Sequence, residues 1–152
     1  MIENNEIILR LAVAVGLGLL IGAERLFVHK EAGMKTHALV SLGSALFVVL
    51  SEFMVQKYAN LPGLNPTMMA SQIIVGIGFL GAGSIMLHGS HLSGLTTAGG
   101  LWVMAGIGMA CGLGFYGLAI IATVFVLLVL TLVNIFEKPI RRIAGDGEAP
   151  KV

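Results

Sequence analysis

The stretch Gly76-Ile77-Gly78-Phe79-Leu80-Gly81-Ala82-Gly83 decides how the chain must be read. It lies inside an apolar run, Ile73 to Leu87, led in by Ala70, Ser71 and Gln72. In water this glycine density would unravel a helix, because each interior glycine costs roughly 1 kcal/mol against alanine. A bilayer reverses the balance. Lipid offers no hydrogen-bond partners, so the backbone satisfies itself by staying helical. Small residues then let a neighbouring helix approach backbone to backbone. On a helix Gly78, Gly81, Ala82 and Ile85 share one face, and Gly76 and Gly83 share another. The stretch reads as a membrane helix packed closely on at least one side.

Composition agrees. Of 152 residues, 57% are apolar and 11% are charged. That charge fraction is less than half of what a soluble domain carries, about 25%, and too few polar residues exist to build a wet exterior. The class is an all-α, polytopic membrane bundle. The net charge of +1 argues against nucleic acid as a partner. Cys111 has no second cysteine to pair with and sits in an apolar run, as a small packing residue does. Met1 to Glu6 carries two acids and no base, unlike the start of a signal peptide.

Five apolar runs can be drawn: Ile7–Ala23, His37–Ser51, Ala70–Leu87, Thr96–Gly114 and Tyr116–Phe136. The first contains Arg10, expected to snorkel outward, and the close-packing pair Gly18 and Gly22. The fourth repeats that spacing with Gly108 and Gly112. The fifth is nearly free of glycine and suits the periphery. The short link from Gly112 to Gly117 makes the last two helices antiparallel neighbours. Asn60, Pro62, Gly63, Asn65 and Pro66 mark a turn-rich loop, with Asn65 or Thr67 as cap of the third helix. The membrane domain is 1–136, and Glu137–Val152 is a short charged tail expected to be partly disordered.

With five spans, one side carries Arg10 and Lys57 and the other carries seven lysines and arginines. The positive-inside rule puts the N-terminus outside and the C-terminus in the cytoplasm. Glu24, Arg25, Lys35, Thr36, His37, His88, His91, Thr96 and Thr97 then gather at the cytoplasmic face. Glu24 ends an apolar helix where the dipole disfavours an anion. It can hold Mg²⁺ through water, meet a partner protein, or pair with Arg25, Lys30 or Lys35. Arg25 and Lys35 suit lipid phosphates. Thr36 is the natural cap of the second helix, and Thr96-Thr97 of the fourth. His37 is an interfacial residue or a pH-sensitive ligand site. His88 and His91 are spaced for a metal on a helix but lack a nearby third ligand. Trp102 reads as a packing residue. No nucleophile and base stand at a defensible spacing, so the chain reads as non-enzymatic.

Gly18 to Arg25 (GLLIGAER), Ala32 to Val40 (AGMKTHALV), Gly76 to Gly83, and Gly94 to Ala98 (GLTTA) followed by Leu101-Trp102 together resemble the MgtC/SapB family. The resemblance implies bacterial inner-membrane proteins of about five helices, whose name member is linked to low-magnesium growth, survival in host cells and restraint of the ATP synthase. Carried over by residue, it points to Glu24, Arg25, Lys35, Thr36, the Gly76–Gly83 helix, Thr96, Thr97 and Trp102. Two departures stand out. Gly99 and Gly100 precede Leu101-Trp102 where the family often has Ala-Thr, and are expected to loosen that helix. The name member also has a soluble C-terminal domain where this chain has its short tail. The expected function is a non-enzymatic regulator or interaction protein. It would form a homo-oligomer such as a dimer, and its partners would be the bilayer and another inner-membrane protein. The alternative is a transporter or channel for Mg²⁺, with Glu24 as the metal ligand.

Overall fold

A computed structural model describes residues 2–58 and 65–143. Five helices carry the fold: α1 (Asn4–Phe27), α2 (Met34–Lys57), α3 (Pro66–Gly83), α4 (Leu95–Gly112) and α5 (Tyr116–Ile143). A hairpin of β1 (Met86–His88) and β2 (His91–Ser93) joins α3 to α4. Four helices are long and apolar enough to cross a membrane, and α3 carries a slightly shorter apolar stretch, Thr67–Gly83. At 1.5 Å per residue its 18 residues reach about 27 Å, close to the roughly 30 Å hydrocarbon core.

The crossing pattern follows from which residues meet. Gly18 lies against Ala38 and Gly22 against Met34, so α1 and α2 are antiparallel. Gly108 lies against Ser41 and Gly112 against Ala45 and Val48, so α2 and α4 run the same way. The chain must therefore return across the bundle between them, and α3 does this. The centre is built from α1, α2 and α4, with Ala14, Leu17, Ile21, Ala45, Met104, Ile107 and Cys111 buried among them. The first apolar run is a core helix, packed against α2 and α4.

Glycine placement corrects the opening reading. A methyl added at Gly18, Gly22, Gly108 or Gly112 would come within 2.7 Å of the backbone of α2. A methyl added at Gly81 would meet Ala98 at an ordinary 3.7 Å. Gly76, Gly78 and Gly83 meet nothing within 4 Å, and Ala82 is exposed. The tight seams of the chain are thus on α1 and α4. The glycine-rich helix packs on its neighbours through Ile77 and Gly81 and leaves its other glycines open.

Several ends also differ from expectation. The third helix starts at Pro66, with Asn65 Oδ1 accepting from Thr67 N at 2.9 Å, and it stops at Gly83, before Leu87. Ser84 N–H bonds back to Leu80 and Gly81 carbonyls, and the chain then extends into β1. Gly94 explains the hairpin: its φ is +86°, and a Cβ there would lie on the Ser84 carbonyl oxygen. Only glycine fits both demands. Gly94 is also the N-cap of α4, so Thr96 and Thr97 fall inside the first turn and do not cap. Likewise Gly33, not Thr36, is the N-cap of α2. A threonine cap needs extended backbone, and both threonine sites are already helical. Helix α4 runs unbroken through Gly99 and Gly100. His88 and His91 pair across a hairpin and share no helix. Helix α5 continues to Ile143, whereas Asn60, Pro62, Gly63 and residues 144–152 lie outside the described residues.

Gly108→Ala should separate α2 from α4 and cost about 1–3 kcal/mol, as overpacking does. Gly106→Ala, at a site with nothing within 4 Å, should be neutral or stabilising. Unfolding of the two variants in mild detergent, followed by circular dichroism, checks the difference.

Candidate functional site

At the end of the bundle where α1 meets α2, Glu24 and Arg25 form a bidentate pair, with Arg25 Nη2 2.7 Å from Glu24 Oε1. The Arg25 side chain is 1% exposed and that of Glu24 is 16% exposed. Local folding explains the geometry. Helix α1 ends in a Schellman turn, with Lys30 N–H on the Arg25 carbonyl and His29 N–H on that of Leu26. His29 takes the left-handed position at φ +56°. The chain turns at once into α2, and Gly22 lets Met34 sit against α1. Arg25 is thereby enclosed with the one carboxylate that can neutralise it. Of the readings open for Glu24, the ion pair with Arg25 is what the structure contains.

His37 stands beside this pair and is fully buried. Its Nδ1 lies 3.0 Å from the Gly33 carbonyl oxygen. A carbonyl only accepts, so Nδ1 carries the hydrogen and Nε2 presents a lone pair. Among the described residues Nε2 has no hydrogen-bond partner, and neither has the buried Ser41 Oγ one turn further on. Gly100 faces Nε2, where an added methyl would make ordinary contact at 3.6 Å. Ser44 and Ser51 continue the buried polar line along α2. This His37, Ser41, Ser44, Ser51 stripe crosses a helix whose interior looks apolar. The sequence signal was serines at helical spacing within the second apolar run, a pattern outweighed there by the surrounding leucines and valines.

The opposite end holds a second cluster. Arg10 Nε donates to Glu6 Oε1 and Nη1 to Glu52 Oε2, both at 2.9 Å, and Nη1 also reaches the Gly112 carbonyl oxygen at 2.8 Å. Tyr116 Oη donates to Glu6 Oε1 at 2.8 Å. Arg10 does not snorkel away from the bundle. It ties α1 to the ends of α2 and α4, and Glu6 extends the tie to α5. Glu52 carried no weight in the sequence reading, because nothing local marks it as the partner of a residue on another helix.

The other expected site residues are dispersed. Lys35 and Thr36 are exposed beside α3, Thr97 is buried and Thr96 is exposed. Trp102 is 56% exposed and does not pack inside, since α4 buries the face carrying Leu101, Met104, Ala105 and Gly108. The structure brings together Glu24, Arg25 and His37 but leaves Trp102 apart from them. Among the described residues no three His, Cys, Asp or Glu side chains group as a metal site. Both Glu24 oxygens already face Arg25, so a cation at Glu24 would compete with a guanidinium for the carboxylate charge.

Glu24→Gln leaves Arg25 buried without its counter-charge. It should cost about 3–5 kcal/mol, and Glu24→Gln with Arg25→Met should recover much of that loss. Stability of the single and double variants in detergent measures the coupling.

Comparison with known proteins fits this architecture. The family model described as the MgtC family matches residues 11–139. The chain is 43% identical over 127 residues to "Putative magnesium transporter YhiD" of Escherichia coli (strain K12), covering 82% of this chain and 59% of that protein. It is 42% identical over 144 residues to "Protein MgtC" of Salmonella paratyphi A, covering 95% of this chain and 59% of that protein. It is 46% identical over 124 residues to "Protein MgtC" of Brucella abortus, covering 82% of this chain and half of that protein. The chain thus spans only about half to three-fifths of the length of these relatives. No solved structure matches it. The match across nearly the whole bundle, together with apolar helices able to cross a bilayer, makes this chain a multi-pass membrane protein of the MgtC family.

Proposed function

We propose that the protein is a non-enzymatic, oligomeric regulator in the bacterial inner membrane. It would act by docking against copies of itself and against other membrane proteins, and it would serve growth and survival under magnesium limitation. The N-terminus lies outside and the basic loops lie in the cytoplasm. The observation that carries this reading is the unfilled side of α3. Gly18, Gly22, Gly108 and Gly112 are each matched by a helix that needs their lack of a side chain, whereas side chains at Gly76, Gly78 and Gly83, all on one helix, would face open space. Interior glycine costs a helix roughly 1 kcal/mol, and close approach by another helix offsets that cost in lipid. Gly78 and the exposed Ala82, one turn apart, supply the small-xxx-small spacing such an approach uses.

A second reading, Mg²⁺ transport, is favoured by the name of the Escherichia coli relative, "Putative magnesium transporter YhiD". In that reading Glu24 exchanges Arg25 for a hydrated cation at the mouth.

Gly78→Leu should shrink the assembly in mild detergent while leaving the helical content intact. An unchanged particle mass would remove the main support for docking through α3. Liposomes carrying the wild-type protein should stay tight to Mg²⁺. A flux that Glu24→Gln abolishes would establish transport instead.

A further inference from the structure

A groove of about 640 Å³ runs between α2 and α3. Its walls are apolar, with Leu39, Phe47, Ile73 and Leu80 among them, and its floor is lowered by Gly43 and Gly76, neither of which meets any atom within 4 Å. Lys35 and Thr36 stand at one mouth, and no acidic residue lines it. From these features we propose that the groove is a binding site for one anionic phospholipid, its acyl chain between α2 and α3 and its phosphate on Lys35 and Thr36.

Three observations select that occupant. The first is length. From Lys35 to Phe47 the groove follows α2 for about 18 Å. One leaflet of a roughly 30 Å hydrocarbon core is about 15 Å deep. A lipid anchored at Lys35 therefore fills the groove along its length. The second is lining. Beyond the mouth the walls are mainly Leu39, Val40, Phe47, Ile73, Ile77 and Leu80, a surface that suits an acyl chain. The third is charge. Arg25 is matched by Glu24, and Arg10 by Glu6 and Glu52. Lys35 has no ion-pair partner among the described residues and lies exposed at the end of an apolar channel. A phosphate supplies the missing anion, and the Thr36 hydroxyl can donate to it. The neighbouring hollow of about 340 Å³ is lined by Glu31, so it lacks this preference for an anion. The inference is independent of docking through Gly78, which does not line the groove.

The test uses the full chain in nanodiscs of equal phosphatidylglycerol and phosphatidylcholine, released into mild detergent and weighed by native mass spectrometry. One phosphatidylglycerol should remain per protomer. Lys35→Ala should lower its preference over phosphatidylcholine about fivefold, the share of one interfacial lysine. Gly76→Phe should fill the groove and remove retention of either lipid. If Gly76→Phe does not fold, Gly43→Leu, on the facing helix, reads the same space. Equal retention of both lipids, retention undiminished in the groove-filling variants, or a second protein copy bound in place of lipid would each overturn the proposal.

Discussion

Close approach of α2 to the backbones of α1 and α4 governs this molecule. Gly18 and Gly22 on one side, and Gly108 and Gly112 on the other, bring main chain against main chain. Within a bilayer the solvent gives no hydrophobic push between helices, so this dense van der Waals contact must hold the bundle together. It also dictates what α2 can carry. Small polar side chains such as Ser41 and Ser44 are tolerated on the buried face, because nothing larger would let the helices meet.

The charged residues then act as ties at the two ends. Arg25 is enclosed with Glu24 at one end, and Arg10 gathers Glu6, Glu52 and the last carbonyl of α4 at the other. Each tie spends a cation that would otherwise be free to attract ligand. On the α3 side, by contrast, Lys35 is exposed and the glycine face is open. The structural seams and the surfaces left for recognition thus lie on different faces of the bundle, with α2 contributing to both. Buried His37, whose Nε2 meets no donor among the described residues, is the exception inside the core. Intramembrane ionisable groups are costly, and its neighbour on α4 is a glycine that leaves the imidazole its space.

Glycine spacing on α1 and α4 was legible before any coordinates, and so was the Asn65 cap. The capping roles of Thr36, Thr96 and Thr97 were misread for one reason. Glycines just upstream already take the cap position, and a helix that has begun does not need the next hydroxyl. Trp102 was misread because an aromatic in an apolar run looks the same whether it faces protein or lipid. The hairpin after Gly83 was hidden inside a hydrophobic run that periodicity could not divide.

By itself, the sequence determined that the chain is an all-helical membrane bundle, because too little charge is present for a wet surface and lipid forces the backbone to bond internally. It also determined which residues are small enough for helices to touch. Only the tertiary structure decided which glycines are filled and which carboxylate answers which arginine. Glu52 reaches Arg10 from 42 positions away in the chain. Partners so far apart are chosen by the packing of whole helices, and no local pattern encodes that choice.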